Sequence, residues 1–247
     1  MKTVGRYSIL TALALCCGLT MLAAPVHATT VLWSQDPIDG GEAFISSSGD
    51  LFGVSLPQYA DDFDVHIGWD VHSVTWWGGF LNEQAGETPG SFNISFFEDD
   101  GDAPSTAGPL ASEVAVNPSA SLTGMLGDPG FGSATLPIYE FTHEFSSPIR
   151  LHAGRRYLSI ENPDSGILFH WLTGGPYNHQ SWFTTGHGAT WSDPQEWDFA
   201  YQLDGAVIPE PATLTLLGAG IAGLALRRRR RVAKVADSRG ATVHPTV

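Results

Sequence analysis

The chain has 247 residues, of which 43% are hydrophobic and 15% charged, and its net charge is −14. Between residues 29 and 208, 24 acidic residues stand against three arginines, so this part of the chain carries a net charge of −21. Such a surface repels polyanions, which excludes nucleic-acid binding. The same part contains no cysteine, which excludes a disulfide scaffold, and it is long enough for one domain with its own core.

Residues 1–28 have the pattern of a secretory signal peptide. Lys2 and Arg6 precede an apolar stretch over residues 7–26, and Val26-His27-Ala28 fits the small-x-small pattern of a cleavage site. We therefore predict an N-terminal signal helix that is recognised by the export machinery and cleaved after Ala28. The alternative for this segment is an uncleaved membrane anchor.

Residues 29–208 show, almost throughout, the period-two alternation that is typical of half-buried strands. For example, Phe92, Ile94 and Phe96 fall on one face of a strand and Asn93 and Ser95 on the other. The predicted strands cover residues 31–34, 43–46, 60–65, 71–77, 91–97, 139–145, 157–161, 167–172, 181–183 and 197–203.

Clusters of Gly, Pro, Asp and Asn separate these strands, and no segment of the domain has ten residues of helical spacing. Many short strands divided by turns predict an all-β fold. We expect residues 29–208 to form a two-sheet antiparallel sandwich of jelly-roll type, and a closed barrel is the alternative.

Two groups of acidic residues are candidate cation sites, because calcium prefers hard oxygen ligands. The weaker candidate consists of Asp61, Asp62 and Asp64. Asp62 and Asp64 are expected on the solvent face of their strand. The densest charge cluster, and the predicted calcium site, is the acidic loop formed by Glu98, Asp99, Asp100 and Asp102. The alternative for this loop is a solvated hairpin turn.

The sequence contains no G-x-S-x-G or H-E-x-x-H pattern that would indicate a catalytic nucleophile or a metalloprotease. Three histidines, His170, His179 and His187, offer nitrogen ligands, but their spacing matches no zinc motif, so we expect no metal there. Glycoside hydrolysis needs only two carboxylates, which an acidic domain can supply by chance. We expect a non-catalytic protein, and a secreted glycoside hydrolase without assigned catalytic residues is the alternative.

All eight tryptophans lie between residues 29 and 208. Sugar rings stack on exposed aromatic faces while neighbouring polar side chains bind their hydroxyls. This combination predicts a carbohydrate-binding site formed by Trp182, Trp191, Tyr177 and Asn178. The alternative for each tryptophan is a place in the core.

Residues 212–226 are uncharged and mostly apolar, and they predict a helix about 22 Å long, a short transmembrane helix. Gly218, Gly220 and Gly223 have the G-x-G-x-x-G spacing of a dinucleotide-binding loop. The prolines before them and the arginines after them leave no place for the strand and the acidic residue that such a loop requires. We therefore assign these glycines to helix packing in lipid, with the arginines on the cytoplasmic side and a polar tail over residues 232–247.

The segment 209–231 resembles the PEP-CTERM sorting signal of exported bacterial proteins. The resemblance rests on a Pro-Glu-Pro sequence, a short apolar helix and an arginine cluster, formed by Pro209, Glu210, Pro211 and by Arg227, Arg228, Arg229, Arg230 and Arg231. It implies processing at the Pro-Glu-Pro region by an exosortase, a membrane-embedded enzyme of Gram-negative bacteria that make extracellular polysaccharide. The domain before it loosely resembles the β-sandwich bodies that accompany this signal, which supports the fold and not an activity.

These observations predict an exported protein that is transiently anchored in the membrane and then lies at the cell surface or in the extracellular matrix. The expected partner in that place is extracellular polysaccharide, and no cofactor is expected apart from the calcium ion considered above. A purely structural surface protein without a ligand is a further alternative.

Overall fold

The computed structural model describes residues 29–47, 50–51, 54–81, 90–130, 135–163, 168–175, 180–185, 190–192, 194–208 and 216–224. Its strands are β1 (Thr30–Pro37), β2 (Ala43–Ile45), β3 (Asp50–Leu51), β4 (Val54–Ser55), β5 (Pro57–Val65), β6 (Trp69–Leu81), β7 (Ser91–Glu98), β8 (Ala111–Val116), β9 (Ser119–Gly127), β10 (Leu136–Leu151), β11 (Gly154–Glu161), β12 (Leu168–Leu172), β13 (Gly174–Gly175), β14 (Ser181–Thr185) and β15 (Tyr201–Val207).

Two antiparallel sheets contain most of these strands. The larger sheet has the order β13-β1-β15-β6-β10-β9, and β12 pairs with both β6 and β2. The smaller sheet has the order β14-β5-β11-β7-β8. The short strands β3 and β4 form a separate pair.

The long strand β6 organises the larger sheet. One edge of β6 pairs with β10, while the other pairs with β15 over its first half and with β12 over its second half. The register with β15 shifts between Val71 and Ser73, and a shift of one residue moves side chains to the opposite face. Val71 lies before this irregularity and Val74 after it, and both therefore lie in the core.

The main core fills the space between the two sheets and consists largely of aromatic rings. Trp76 stacks on Phe141 and is contacted edge-on by Phe92 of the smaller sheet. Trp171 stacks on Phe199 with 4.6 Å between ring centroids. Such pairs add to the stabilisation from apolar burial, which is how a domain without disulfides can be held together.

The structure confirms the predicted all-β fold as two antiparallel sheets that pack into a sandwich, so the closed-barrel alternative does not apply. The jelly-roll type stays a prediction. Most predicted strands are present, although the one placed at 197–203 begins only at Tyr201. Strands β8 and β9 were not predicted, because they lie at sheet edges and are mostly exposed, so they lack the alternation that burial imposes.

A short helix covers residues 216–224, within the segment 212–226 for which a helix was predicted. In the part of the chain that the structure describes, no helix has both the length and the apolar composition that a membrane crossing requires. The predicted signal helix over residues 1–28 and the polar tail over residues 232–247 lie outside the described residues.

Candidate functional site

The outer face of the smaller sheet carries its own small hydrophobic cluster. Its buried members are Ala60, Phe97, Tyr157 and Trp182. The ring of Tyr157 contacts Trp182 edge-on at 4.9 Å, and Trp182 lies opposite Ala60 in the pairing of β14 with β5. These apolar residues form the floor on which the loop after β7 packs.

The acidic loop after β7 is attached to this floor by hydrogen bonds. The hydroxyl of Tyr157 donates to Oδ1 of Asp99 at 2.8 Å, and the backbone N–H of Asp102 donates to the same oxygen at 3.1 Å. Burial and the nearby Asp99 carboxylate raise the pKa of Tyr157, which keeps the phenol protonated as a donor. Arg155 also donates to Asp102 at 3.2 Å. The loop is therefore held in one place above the sheet.

A cleft of about 300 Å³ lies between this loop and the outer face of the sheet. Trp191 forms one wall and contacts Phe97 edge-on, with 5.5 Å between ring centroids. The loop also lines the cleft, with Ser105, Thr106, Gly108 and Pro109. The strands supply the base of the cleft with Gln58, Ser95, Phe97, Glu161 and Thr184.

Polar side chains line the base of the cleft next to the aromatic wall. Glu161 accepts a hydrogen bond from the side chain of Asn93 at 3.0 Å, and Gln58 donates to the hydroxyl of Ser159 at 3.1 Å. The hydroxyl of Thr184 is buried and no described group hydrogen-bonds to it. An unpartnered buried hydroxyl is costly, so among the described residues this position lacks a hydrogen bond.

The two tryptophans of the predicted carbohydrate-binding site have different environments. Trp191 is half-buried and lines the cleft. Trp182, in contrast, is only 1% exposed and packs with Ala60, Phe97 and Tyr157, which corresponds to the core alternative for this tryptophan. Tyr177 and Asn178 lie outside the described residues.

The acidic loop shows the hydrogen bonds of a turn. Glu98, Asp99, Asp100 and Asp102 are exposed, and Asp102 adopts a positive φ of 66°. Among the described residues, the three acidic groups that approach one another closely enough to share a metal ion are elsewhere in the fold. A calcium ion in this loop stays a prediction.

The expectation for Asp62 was wrong in part. Asp62 and Asp64 do share the outer face of β5, since Phe63 and Val65 lie in the core, but only Asp64 is exposed. Asp62 is buried beside Arg155, whose Nε lies 3.5 Å from the carboxylate. Asp61 is buried as well. Asp62 is buried because neighbouring segments cover it. The alternation of polar and apolar residues along a strand does not indicate such coverage.

Sequence reasoning missed Gln58, Ser95, Glu161 and Thr184 as lining residues of the cleft. Each lies at an outward position of a strand, and an outward polar residue normally indicates solvent. A signal was present in the alternation of β7 and β11, which places Ser95 and Glu161 on one face. The sequence does not indicate that a loop covers that face.

His170 is the one histidine of the three considered above that lies in the described residues, and it is completely buried. No described group hydrogen-bonds to either of its ring nitrogens. Burial lowers the pKa of His170 to about 4. The neutral ring therefore packs as part of the fold.

We expect His170 to make the domain less stable in acid. The pKa of histidine is about 6.5 in an unfolded chain, so between pH 6.5 and pH 4 the unfolded state binds the extra proton. The free energy of unfolding should fall by about 2.5 kcal/mol more in the wild type than in a His170→Leu variant between pH 7.5 and 4.5. Urea denaturation at both pH values measures this, with the exposed His152→Leu as the control. Parallel losses in the wild type and the His170→Leu variant would contradict the assignment.

Comparison with known proteins identifies the segment after the domain. Residues 207–230 match the PEP-CTERM protein-sorting motif. The chain therefore carries a PEP-CTERM sorting signal. A search of curated proteins finds no match for this chain.

The match confirms the resemblance that the sequence indicated and covers the Pro-Glu-Pro sequence and most of the arginine cluster. The signal supports export, transient anchoring in the membrane and handling by an exosortase-type sorting enzyme. Pro209, Glu210, Pro211 and the arginines at 227–231 lie outside the residues that the structure describes.

Proposed function

We propose that this exported protein is a non-catalytic component of the cell surface or extracellular matrix and that its cleft binds a neutral polysaccharide. The observation that carries the proposal is the composition of the cleft. An aromatic wall formed by Trp191 stands beside hydrogen-bonding groups of Gln58, Ser95 and Thr184. The apolar face of a sugar ring can stack on the aromatic wall, and the hydroxyls of the sugar can form hydrogen bonds with the polar side chains.

The charge of the domain limits the class of glycan. With a net charge of −21 over residues 29–208 and Glu161 in the base of the cleft, an anionic polysaccharide would be repelled. A neutral polysaccharide would not be repelled in this way. Bacteria that export through a sorting system of this kind make extracellular polysaccharide, which provides the setting for such a ligand.

Two features support binding over hydrolysis. Glycosidases use two carboxylates that flank the scissile bond, whereas Glu161 is the single carboxylate among the described lining residues of the cleft. Glu161 is also hydrogen-bonded to Asn93 and lies at the base of the cleft. A secreted hydrolase would instead release reducing sugar when the protein is incubated with the same polymers.

We expect calorimetric titration of the full-length protein to give saturable heat with a neutral glucan, such as dextran or a soluble β-glucan, or with extracellular polysaccharide of the source strain. Alginate, which is anionic, should give none. Trp191→Ala should weaken binding at least about tenfold, because a buried aromatic contact contributes more than about 1.4 kcal/mol. The matched control is Trp197→Ala, because Trp197 is also half-buried but packs on Phe44 away from the cleft.

A second variant separates binding from folding. Thr184→Val keeps the shape of the side chain and removes the unpartnered hydroxyl, so the free protein should keep its stability while binding weakens. Equal affinity of the wild type, Trp191→Ala and Thr184→Val would place the site elsewhere. The absence of heat with every neutral polymer would favour a purely structural surface protein.

A further inference from the structure

Three aspartates that are distant in the sequence lie together inside the fold. Asp61 and Asp62 belong to β5, and Asp198 precedes β15. One carboxylate oxygen of each lies within 4.8 Å of those of the other two, and all three residues are at most 2% exposed. We call these three residues the aspartate cluster. They are not among the residues that line the cleft.

Backbone and side-chain donors orient the aspartate cluster. Asp61 accepts hydrogen bonds from the backbone N–H groups of Asp62 at 3.1 Å and Phe199 at 2.8 Å. The side-chain amide of Gln35, with its nitrogen turned toward the acceptors, donates to Asp61 at 2.7 Å. Asp198 accepts from the backbone N–H of Gln180 at 3.3 Å. The carboxylates of Asp61 and Asp198 are therefore held in defined positions.

The charges of this group leave an excess that suits a divalent cation. Among the described groups, the three carboxylates and the guanidinium of Arg155, whose Nε lies 3.5 Å from Asp62, sum to a charge of −2. A divalent cation brings the sum to zero, whereas one shared proton does not.

A buried serine on the neighbouring strand β14, Ser181, is a further feature of this region. Its side chain is completely buried, and no described group hydrogen-bonds to its hydroxyl. Ser181 lies directly opposite Asp61 in the antiparallel pairing of β14 with β5, so both side chains point to the same face of the sheet. A buried hydroxyl for which the described residues supply no partner therefore lies across the strand pair from Asp61.

We propose that Asp61, Asp62, Asp198 and the hydroxyl of Ser181 bind a calcium ion. The set offers oxygen ligands, which calcium prefers, and none of the nitrogen or sulfur ligands that zinc prefers. Magnesium usually retains several waters and is seldom held by protein oxygens alone. Calcium accepts an irregular set of protein oxygens.

Such an ion joins both sheets of the sandwich. Asp61 and Ser181 lie in neighbouring strands of the smaller sheet, while Asp198 lies two residues before Ala200, whose backbone N–H donates to Leu172 of the larger sheet. The role of the ion is therefore structural, and its removal should loosen the contact between the sheets.

The full-length protein provides the test, with metal analysis by mass spectrometry after dialysis and thermal melting in 1 mM calcium and in excess EDTA. We expect about one bound calcium per chain and a melting temperature about 5–10 °C lower in EDTA. Ser181→Ala should fold normally and bind calcium about tenfold more weakly, because one ligand is lost. Asp198→Asn should lose the bound ion.

Two controls and one alternative make the outcome decisive. Asp64→Asn changes an exposed carboxylate of the same strand, and Asp100→Asn changes the acidic loop, so both should retain the ion. If Asp100→Asn loses it instead, the acidic loop is the calcium site and the proposal is overturned. Protein without a divalent ion, melting equally in calcium and EDTA, would show that the aspartate cluster holds a proton instead, which also overturns the proposal.

Discussion

Replacing Trp182 with alanine should lower the free energy of unfolding by about 3–5 kcal/mol, which is the range for removing a fully buried large aromatic side chain. Trp182 is 1% exposed and packs on Tyr157 and Ala60 in the outer cluster of the smaller sheet. The lost contacts leave a cavity beneath the acidic loop. The measurement is urea denaturation of the full-length protein followed by tryptophan fluorescence and far-UV circular dichroism.

The matched comparison is Trp191→Ala, because it removes the same side chain from the neighbouring wall of the cleft. Trp191 is only half-buried, so its loss should cost clearly less stability than that of Trp182 while binding is affected. A stability loss below about 1 kcal/mol for Trp182→Ala would contradict its place in the core. The pair thus separates a tryptophan that supports the fold from one that is available to a ligand.

Gly205→Ala should also be strongly destabilising, by about 3 kcal/mol, which corresponds to a melting temperature about 6–12 °C lower. A Cβ atom at this position would overlap the backbone carbonyl oxygen of Asp70 and come within 2.9 Å of Leu32. Gly205 lies where the register between β15 and β6 shifts, so the two backbones approach closely there. Backbone atoms cannot move aside as a flexible side chain can, and the strands must separate.

Gly90→Ala is the control for this prediction, because nothing lies within 4 Å of a Cβ atom at that position. It should change the melting temperature little. Differential scanning calorimetry of the two variants and the wild type measures the effect. Similar melting temperatures for all three proteins would mean that β15 and β6 are not packed as described.

Much of the fold could be predicted because strand alternation is a local pattern. Phe92, Ile94 and Phe96 point to the core as their period-two spacing indicates. The edge strands β8 and β9 could not be predicted in this way, since they expose side chains such as Val116 and Leu122 that a buried strand would cover. Alternation is imposed by burial on one face, and an edge strand experiences little of it.

The candidate site was predicted less well than the fold. Trp191 was expected at a binding surface and lines the cleft, but Trp182, nine residues earlier, is buried. Both are tryptophans in a region rich in polar residues, so composition does not distinguish them. The difference arises because the loop after β7 covers one part of the outer face and leaves the next part open.

The sequence by itself determined the all-β class, the acidic surface and the sorting signal, because each depends on residues close together in the chain or on composition. Tertiary structure alone decided that Asp61 meets Asp198, that Glu161 and Thr184 share a cleft, and that Trp182 is enclosed. These contacts join segments far apart in sequence. A local pattern states which way a side chain points, but only the packing of distant segments decides what it meets there.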